Sequence, residues 1–214
     1  MRGLAFAARP DRCHRCVMML HSCICAAIPT VQTRTRVVIV RHARELVKPS
    51  GTARIAALAL PNAEIIDYRD EQGDTPGWVT SLHPRPEEVL SPDAVAARLR
   101  AMNAPHLLFP TGRTSTSAPP TLVVLDGTWR QARQMFRRIP GVPALPTVSL
   151  DVSAATTVRL RNAFRAEERS TLEAIADAIA ALEGEDVAAP LRALNDRFVR
   201  DSLRSRGRMR PLGG

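Results

Sequence analysis

The apolar runs of this chain are short and continuous, and this pattern constrains its fold more than any other feature. Residues 35–40 (TRVVIV), 106–109 (HLLF) and 121–125 (TLVVL) are apolar along most of their length instead of at alternate positions. Such runs are typical of strands in a parallel sheet that is covered on both faces. We therefore predict an α/β fold with a Rossmann-like, mainly parallel sheet.

The segments between these runs carry helix signals, which supports alternation of strands and helices. We predict helices over residues 51–60, 91–102, 128–138, 170–182 and 191–203, and further strands over 63–66 and 147–150. Residues 70–92 are rich in Gly, Pro and acidic residues and indicate mainly a loop. Ligands of such sheets bind beyond the carboxyl ends of strands, so the loops after Phe109, Leu125 and Leu150 are the first candidate sites.

The charge of the chain is strongly positive. Its 214 residues include 30 basic ones, of which only Lys48 is a lysine, and the net charge is +9. Arginine pairs bidentately with phosphate, so the excess fits a polyanionic partner, although an arginine-rich composition alone also explains it. No stretch is long and apolar enough to span a bilayer, and the first residues lack a signal-peptide core, so we expect a cytoplasmic protein.

All four cysteines fall within 13 residues, as Cys13, Cys16, Cys23 and Cys25. In a reducing compartment such a cluster indicates metal ligation before disulfides. Four thiolates suit a structural zinc ion, with an iron–sulfur cluster as the second choice. The alternative without a metal is four scattered buried thiols. His14 and His21 lie close enough to replace one ligand, but we expect them to be bystanders.

Two short motifs stand where a helix should begin. Asp126, Gly127, Thr128 and Trp129 follow the strongest predicted strand, and Asp126 alone would suit a helix N-cap beside a glycine turn. Ser170, Thr171, Leu172 and Glu173 have the spacing of a capping box. Either motif by itself fits a purely structural role.

Several blocks together resemble one family. Eight blocks are similar to the DTW-domain family and occur in its order. They are the four cysteines, TRVVIVRHARE, PSGTARIAALALPNA, LLFPTG, LDGTWRQARQM, LPTVSL, LRNAF and STLEAIADAIAALE. The resemblance implies a tRNA-uridine aminocarboxypropyltransferase that uses S-adenosylmethionine. It also implies kinship with the SPOUT class, whose fold carries a C-terminal knot around the cofactor.

With that resemblance, residues acquire candidate roles. Asp126 is the expected catalytic base, or a partner of the positive sulfonium or amino group. Thr128 would hydrogen-bond the cofactor or the base, and Trp129 would stack on uracil or line the pocket. Arg161 would pair with the methionine carboxylate. The other expected cofactor contacts are Phe109, Pro110, Gly112, Leu125, Gly127, Leu145, Ser170, Thr171 and Glu173.

The expected RNA surface follows the DGTW turn. Arg130, Arg133 and Arg137 recur every three or four residues and so share one face of the predicted helix, with Arg138 nearby. We expect three parts in the chain: a zinc segment over 1–30, a catalytic α/β domain over 31–205 and a basic flexible tail over 206–214. The alternatives are a SPOUT-type RNA methyltransferase, a non-catalytic zinc-bearing RNA-binding module and a cysteine-based redox sensor.

Overall fold

One parallel sheet organises the molecule. The computed structural model describes residues 10–46, 48–70, 88–109, 118–150 and 169–205. In these residues the strands are β1 (Arg36–His42), β2 (Glu64–Tyr68), β3 (Pro105–Leu108), β4 (Thr121–Asp126) and β5 (Thr147–Val148). They are ordered β2-β1-β4-β3-β5, and every neighbouring pair is parallel. The prediction of a parallel α/β sheet is confirmed.

The helices of the described residues are α1 (Thr52–Ala59), α2 (Pro92–Arg100), α3 (Trp129–Arg138), α4 (Thr171–Glu183) and α5 (Glu185–Ser205). Only α5 departs substantially from expectation, because it begins six residues before Leu191 and contains Pro190. Proline removes one helical hydrogen bond. Ala188 and Leu191 are fully buried on either side of it, so core packing holds the helix through this point.

Successive residues of each strand enter opposite cores, which explains why the strands are apolar throughout. Val37 and Ile39 of β1 belong to a first core, whereas Val38 and Val40 belong to a second. The first core is completed by α1, α4 and α5, and the second by α2 and α3. Both faces are therefore covered, as a parallel sheet requires.

The chain reverses its direction of travel across the sheet between β1 and β4. From β1 it passes through α1 to β2 on one side, and from β4 it passes through α3 to β5 on the other. The carboxyl ends of these two strands are neighbours, and Arg41, the last but one residue of β1, is paired to Asp126 in the register. Such a reversal opens a crevice at the carboxyl ends of the strands, where ligands of this fold class bind. We call this place the β1/β4 crevice.

The cysteine segment packs against the same protein body. Cys13, Cys16, Met18 and Ile24 are buried in the first core together with α1, α4 and α5. Val31 then donates a backbone hydrogen bond of 2.8 Å to the carbonyl of Ala59, at the end of α1.

The expected basic tail over 206–214 lies outside the described residues and stays a prediction. The knot expected near the C-terminus also stays a prediction. Among the helices of the described residues, none combines the length and apolar character that crossing a membrane demands.

Candidate active site

Asp126 is the last residue of β4 and lies in the β1/β4 crevice. It is not the N-cap of the helix that follows: Thr128 has that position, and its hydroxyl accepts a 3.3 Å hydrogen bond from the amide of Gln131. Gln131 Oε1 accepts in return from the amide of Thr128 at 2.7 Å, which completes a capping box. A capping role for Asp126 is therefore wrong, and its burial needs another explanation.

The carboxyl group of Asp126 is buried and incompletely paired. The residue is 6% exposed, and the Thr171 hydroxyl donates a short hydrogen bond to its Oδ1. Its Oδ2 is buried without a hydrogen-bond partner among the described residues. The pKa of Asp126 is raised to about 6, chiefly by burial, which outweighs the lowering by the Thr171 hydroxyl. Repulsion by Glu45 contributes to the rise, whereas Arg41 and Lys48 oppose it. Such a carboxyl changes charge close to neutral pH.

The N-terminus of α4 lies against Asp126. Ser170 and Glu173 form the predicted capping box: the Ser170 hydroxyl accepts from the Glu173 amide at 3.2 Å, and Glu173 Oε2 accepts from the Ser170 amide at 3.3 Å. The Ser170 hydroxyl also donates to Asn195 Oδ1 at 3.1 Å. These bonds rigidify the turn, so Thr171 is held in place to reach Asp126.

Gly127 allows the chain to turn sharply from β4 into α3. A Cβ on Gly127 would lie 2.9 Å from Cβ of Gln131 and 3.6 Å from Cβ of His42. The first distance is too short for two carbon atoms, so any larger residue would push α3 away from the crevice. The glycine thus sets how closely the start of α3 approaches β1.

An aromatic row borders the crevice on the side of α3. The ring of Phe109 stacks on Phe136 with a centroid distance of 4.6 Å and on Trp129 with 6.2 Å. Trp129 is 44% exposed, so this row covers only part of its indole. Leu125 and Leu145 are partly buried in the same second core as Phe109. An exposed indole on top of this row offers a flat surface to a planar ring.

Sequence reasoning missed the charged groups that β1 and α1 bring to the crevice. Arg41 forms a bidentate ion pair with Asp67, at 2.6 and 2.9 Å, and both are buried. Lys48 pairs with Glu45 just after β1. Arg54 of α1 donates to the carbonyl of Leu46 at 3.1 Å. The signal was present, because these residues follow the carboxyl end of a predicted strand, but only the sheet order shows that β1 adjoins β4.

The N-termini of α1 and α4 are joined directly. The Thr52 hydroxyl, on the first residue of α1, accepts a 3.3 Å hydrogen bond from the amide of Leu172. This contact spans 120 residues of sequence and closes the crevice on the side of the first core. It was not foreseeable from the segment in which Thr52 lies.

The expected RNA-binding arginines are on the surface of α3. Arg130, Arg133 and Arg137 are exposed, and no acidic side chain of the described residues pairs with them. Arg138 differs, because it is partly buried and forms an ion pair with Asp70. Three further expected site residues, Pro110, Gly112 and Arg161, lie outside the described residues.

The four cysteines form a second, separate cluster. Their Sγ atoms all lie within 4.8 Å of one another, with 3.5 Å between Cys13 and Cys25 and 3.7 Å between Cys16 and Cys23. Four thiolates at about 2.3 Å from one zinc ion would be about 3.8 Å apart. The donor set therefore fits a single tetrahedral ion, whereas His14 and His21 are exposed and stay outside the group.

The backbone around Cys13 favours a thiolate. Burial alone would raise its pKa, but the backbone amides of Cys16 and Arg15 lower it to about 6. Burial raises the pKa of Cys23, and with neighbouring thiols also that of Cys25. Val17 completes the turn with a positive φ of 62°, a backbone conformation that is strained for a β-branched residue. The turn is thus shaped to aim amides at sulfur.

Comparison with known proteins places the chain in a family. The model of the DTW domain matches residues 10–203. Relatives named tRNA-uridine aminocarboxypropyltransferase 2 are 26% identical over 200 residues in Macaca fascicularis (88% of this chain, 63% of the relative) and 25% identical over 186 residues in Drosophila melanogaster (82% and 68%). The relative from Mus musculus is 26% identical over 201 residues, again 88% and 63%.

The chain spans about 63% of the length of the two mammalian relatives. No solved structure matches it. The family match nevertheless covers the cysteine cluster, the β1/β4 crevice and both capping boxes in one continuous alignment. The chain belongs to the DTW-domain family.

Proposed function

We propose that this protein transfers the 3-amino-3-carboxypropyl group of S-adenosylmethionine to N3 of a uridine in tRNA and releases methylthioadenosine. The observation that carries the proposal is the buried, incompletely paired Asp126 at the β1/β4 crevice. The family match and the names of the curated relatives support the same reaction.

The chemistry requires one bond to form and one to break. Uracil N3 attacks the methylene carbon of the methionine arm that is bonded to the sulfonium sulfur. The carbon–sulfur bond breaks, and its electron pair stays on sulfur as the neutral thioether of methylthioadenosine. The proton of N3 must leave for a base, and a positioned carboxylate accelerates such a transfer.

Asp126 has the properties of that base. Its raised pKa of about 6 makes it a stronger base than an ordinary carboxylate, while at neutral pH most molecules still carry the ionised form. Thr171 holds one carboxylate oxygen in a fixed position. The other oxygen, Oδ2, has no partner among the described residues and is left to accept the proton.

The surroundings offer matching surfaces for both substrates. The adenosine would contact Phe109, Leu125 and Leu145, together with Pro110, Gly112 and the backbone of Gly127 and Thr128. Ser170, Thr171 and Glu173 would form the turn beside the methionine arm. Trp129 would stack on the target uracil, because its indole is exposed at the end of the aromatic row. Arg130, Arg133 and Arg137 would contact tRNA phosphates.

The cysteine cluster would hold a structural zinc ion through Cys13, Cys16, Cys23 and Cys25. Four protein ligands leave no open position on a tetrahedral ion, so its role is to stabilise the N-terminal segment against the first core. Thiolate ligands persist in a reducing compartment, which agrees with the expected cytoplasmic location.

Product mass tests the proposal. Purified protein is incubated with S-adenosylmethionine and unmodified tRNA, and the digested nucleosides are weighed. We expect a uridine heavier by one aminocarboxypropyl group, and a loss of at least about 100-fold in rate for Asp126→Asn. Asp93→Asn, which changes an exposed aspartate of α2, is the matched control and keeps full activity.

Other outcomes would overturn the proposal in different ways. A methylated nucleoside would support S-adenosylmethionine as the donor but show that the methyl group is transferred, as in a SPOUT-type methyltransferase. Tight tRNA binding with no modified nucleoside would indicate a non-catalytic RNA-binding module. Unchanged activity of Asp126→Asn with the expected product would leave the reaction but remove Asp126 as its base.

A further inference from the structure

Among the described residues, the charged side chains of the β1/β4 crevice on β4, α1 and the end of β1 with the segment after it include two without an ion-pair partner. Arg41 is neutralised by Asp67, and Lys48 by Glu45. Asp126 has no cationic partner within ion-pair distance among the described residues, and Arg54 has no anionic one. One negative and one positive group thus stay uncompensated by a direct partner in the same region of the fold.

Arg54 is held in place but incompletely bonded. It is the third residue of α1, and its Nη2 donates to the carbonyl of Leu46 at 3.1 Å. Its Nη1 is buried and has no hydrogen-bond partner in the part of the chain that the structure describes. A buried donor of a charged group is costly to leave unbonded, so such a group calls for an explanation. A ligand that arrives with acceptor oxygens supplies one.

The electrostatic surroundings place Arg54 beside the catalytic region. Burial, with a smaller contribution from repulsion by Arg41, lowers its pKa to about 10, although Asp126 and Asp67 oppose that effect. The guanidinium therefore stays ionised at neutral pH while it is close enough to feel the charge of Asp126. A planar guanidinium with unused N–H groups binds a carboxylate well, because the two forks match.

We propose that Arg54 binds the carboxylate at the amino-acid end of the donor in the β1/β4 crevice, an inference that rests on the proposed function. Of the two uncompensated groups, Arg54 attracts this carboxylate, and the negative charge of Asp126 attracts the positive sulfonium at the other end of the arm. A zwitterionic arm is thereby oriented in one direction between them. This fixes the position of the methylene carbon that is transferred, which is what a displacement at that carbon requires.

The resemblance to the DTW-domain family assigns the methionine carboxylate to Arg161, which lies outside the described residues. The assignment to Arg54 rests on its buried Nη1, which has no hydrogen-bond partner among the described residues. The two assignments make opposite predictions for two otherwise similar substitutions, so one set of binding measurements separates them.

The test is equilibrium binding of two nucleosides by calorimetry. S-adenosylhomocysteine keeps the amino-acid arm, and methylthioadenosine lacks it. We expect Arg54→Met to weaken S-adenosylhomocysteine about tenfold or more, the size of one lost charge-assisted bond, and to change methylthioadenosine less than twofold. Arg161→Met should leave both unchanged, as should Arg100→Met, a control on the exposed surface of α2.

A ligand change checks the same point without altering the protein. The wild type should bind S-adenosylmethionine about tenfold more tightly than its decarboxylated analogue, and Arg54→Met should bind both equally. Equal weakening of S-adenosylhomocysteine and methylthioadenosine in Arg54→Met would show a structural role and overturn the inference. If Arg161→Met instead weakens the binding of S-adenosylhomocysteine and not that of methylthioadenosine, Arg161 binds the carboxylate.

These outcomes are distinct from failure of the proposed function. A methylated or absent product, with selective weakening in Arg54→Met, would refute the transfer reaction and keep the carboxylate site. A wild type that binds neither S-adenosylhomocysteine nor S-adenosylmethionine would refute both.

Discussion

The cysteine cluster and the β1/β4 crevice are both sets of buried ionisable groups, yet they are built in opposite ways. The four sulfur ligands come from 13 consecutive residues. The crevice is assembled from the ends of β1 and β4 and the starts of α1, α3 and α4, which span residues 41 to 173. A local cluster depends on its own turn, whereas an assembled site depends on the whole sheet, so the two should respond differently to perturbation.

The largest effect is expected from removing one metal ligand. Cys16 is fully buried in the first core, and Cys16→Ser should release the ion and lower the free energy of unfolding by more than about 3 kcal/mol. Metal content by mass spectrometry and denaturant unfolding measure this. His14→Ser, an exposed neighbour, should change neither. Retained metal in Cys16→Ser, or thiols that form reversible disulfides without metal, would contradict a structural ion.

The next effect concerns stability and pH at the crevice. Because the folded pKa of Asp126 is about 6 and the usual value is 3.8, burial disfavours its ionised form. Asp126→Asn should therefore stabilise the protein by about 3 kcal/mol at pH 8 while it abolishes activity. The gain should shrink as pH falls through 6 and vanish below about pH 3.8, where the carboxyl is protonated in both the folded and the unfolded state.

Unfolding free energies of wild type and Asp126→Asn at several pH values test the sign. Asp93→Asn, an exposed carboxylate, should show no such dependence. If Asp126→Asn is instead less stable than wild type at pH 8, the ionised carboxylate of Asp126 stabilises the folded protein. The β1/β4 crevice would then resemble the cysteine cluster, in which the ionisable groups stabilise the fold.

A smaller effect is expected at the aromatic row. Trp129 is 44% exposed, so Trp129→Ala should change the free energy of unfolding by less than about 1 kcal/mol. Loss of a base-stacking surface should raise the KM for tRNA about tenfold, in line with about 1–3 kcal/mol for one stacked base. Trp129→Phe should restore most of the affinity. An unchanged KM in Trp129→Ala would remove Trp129 from RNA recognition.

The smallest effect should come from single arginines of α3. Arg133→Ala should weaken tRNA binding only a few-fold and reduce the slope of log affinity against log salt by roughly one, because one phosphate contact is lost. Arg100→Ala, exposed on α2, should leave the slope unchanged. If Arg133→Ala and Arg100→Ala have the same slope of log affinity against log salt, the arginines on the exposed face of α3 are solvated and do not contact tRNA phosphates.

Sequence reasoning succeeded where the information was local. The cysteine spacing identified all four ligands of a metal-compatible cluster, and S-x-x-E identified the cap of α4. It failed where packing decided the outcome. Thr128, and not Asp126, caps α3, and α5 continues through Pro190. Local rules rank candidates for a cap or a helix start, but buried neighbours such as Leu191 choose between them.

The site shows the same division. The end of a predicted strand pointed to Asp126, yet Arg41 and Arg54 were overlooked although they lie in equally visible segments. Their relevance follows from the adjacency of β1 and β4, which are separated by β2 and β3 in the chain. Strand order is a long-range property, and no spacing in the sequence encodes it directly.

By itself the sequence determined the class of fold, the metal-compatible cluster and the capping box of α4, because apolar runs, ligand spacing and capping residues act over a few neighbouring residues. Only the tertiary structure decided which charges at the crevice are compensated. Asp67 neutralises Arg41 across 26 residues, and Thr171 reaches Asp126 across 45, while Nη1 of Arg54 has no partner within the described parts of the chain. Burial and partner are joint properties of segments distant in the chain, and they set the chemistry of the site.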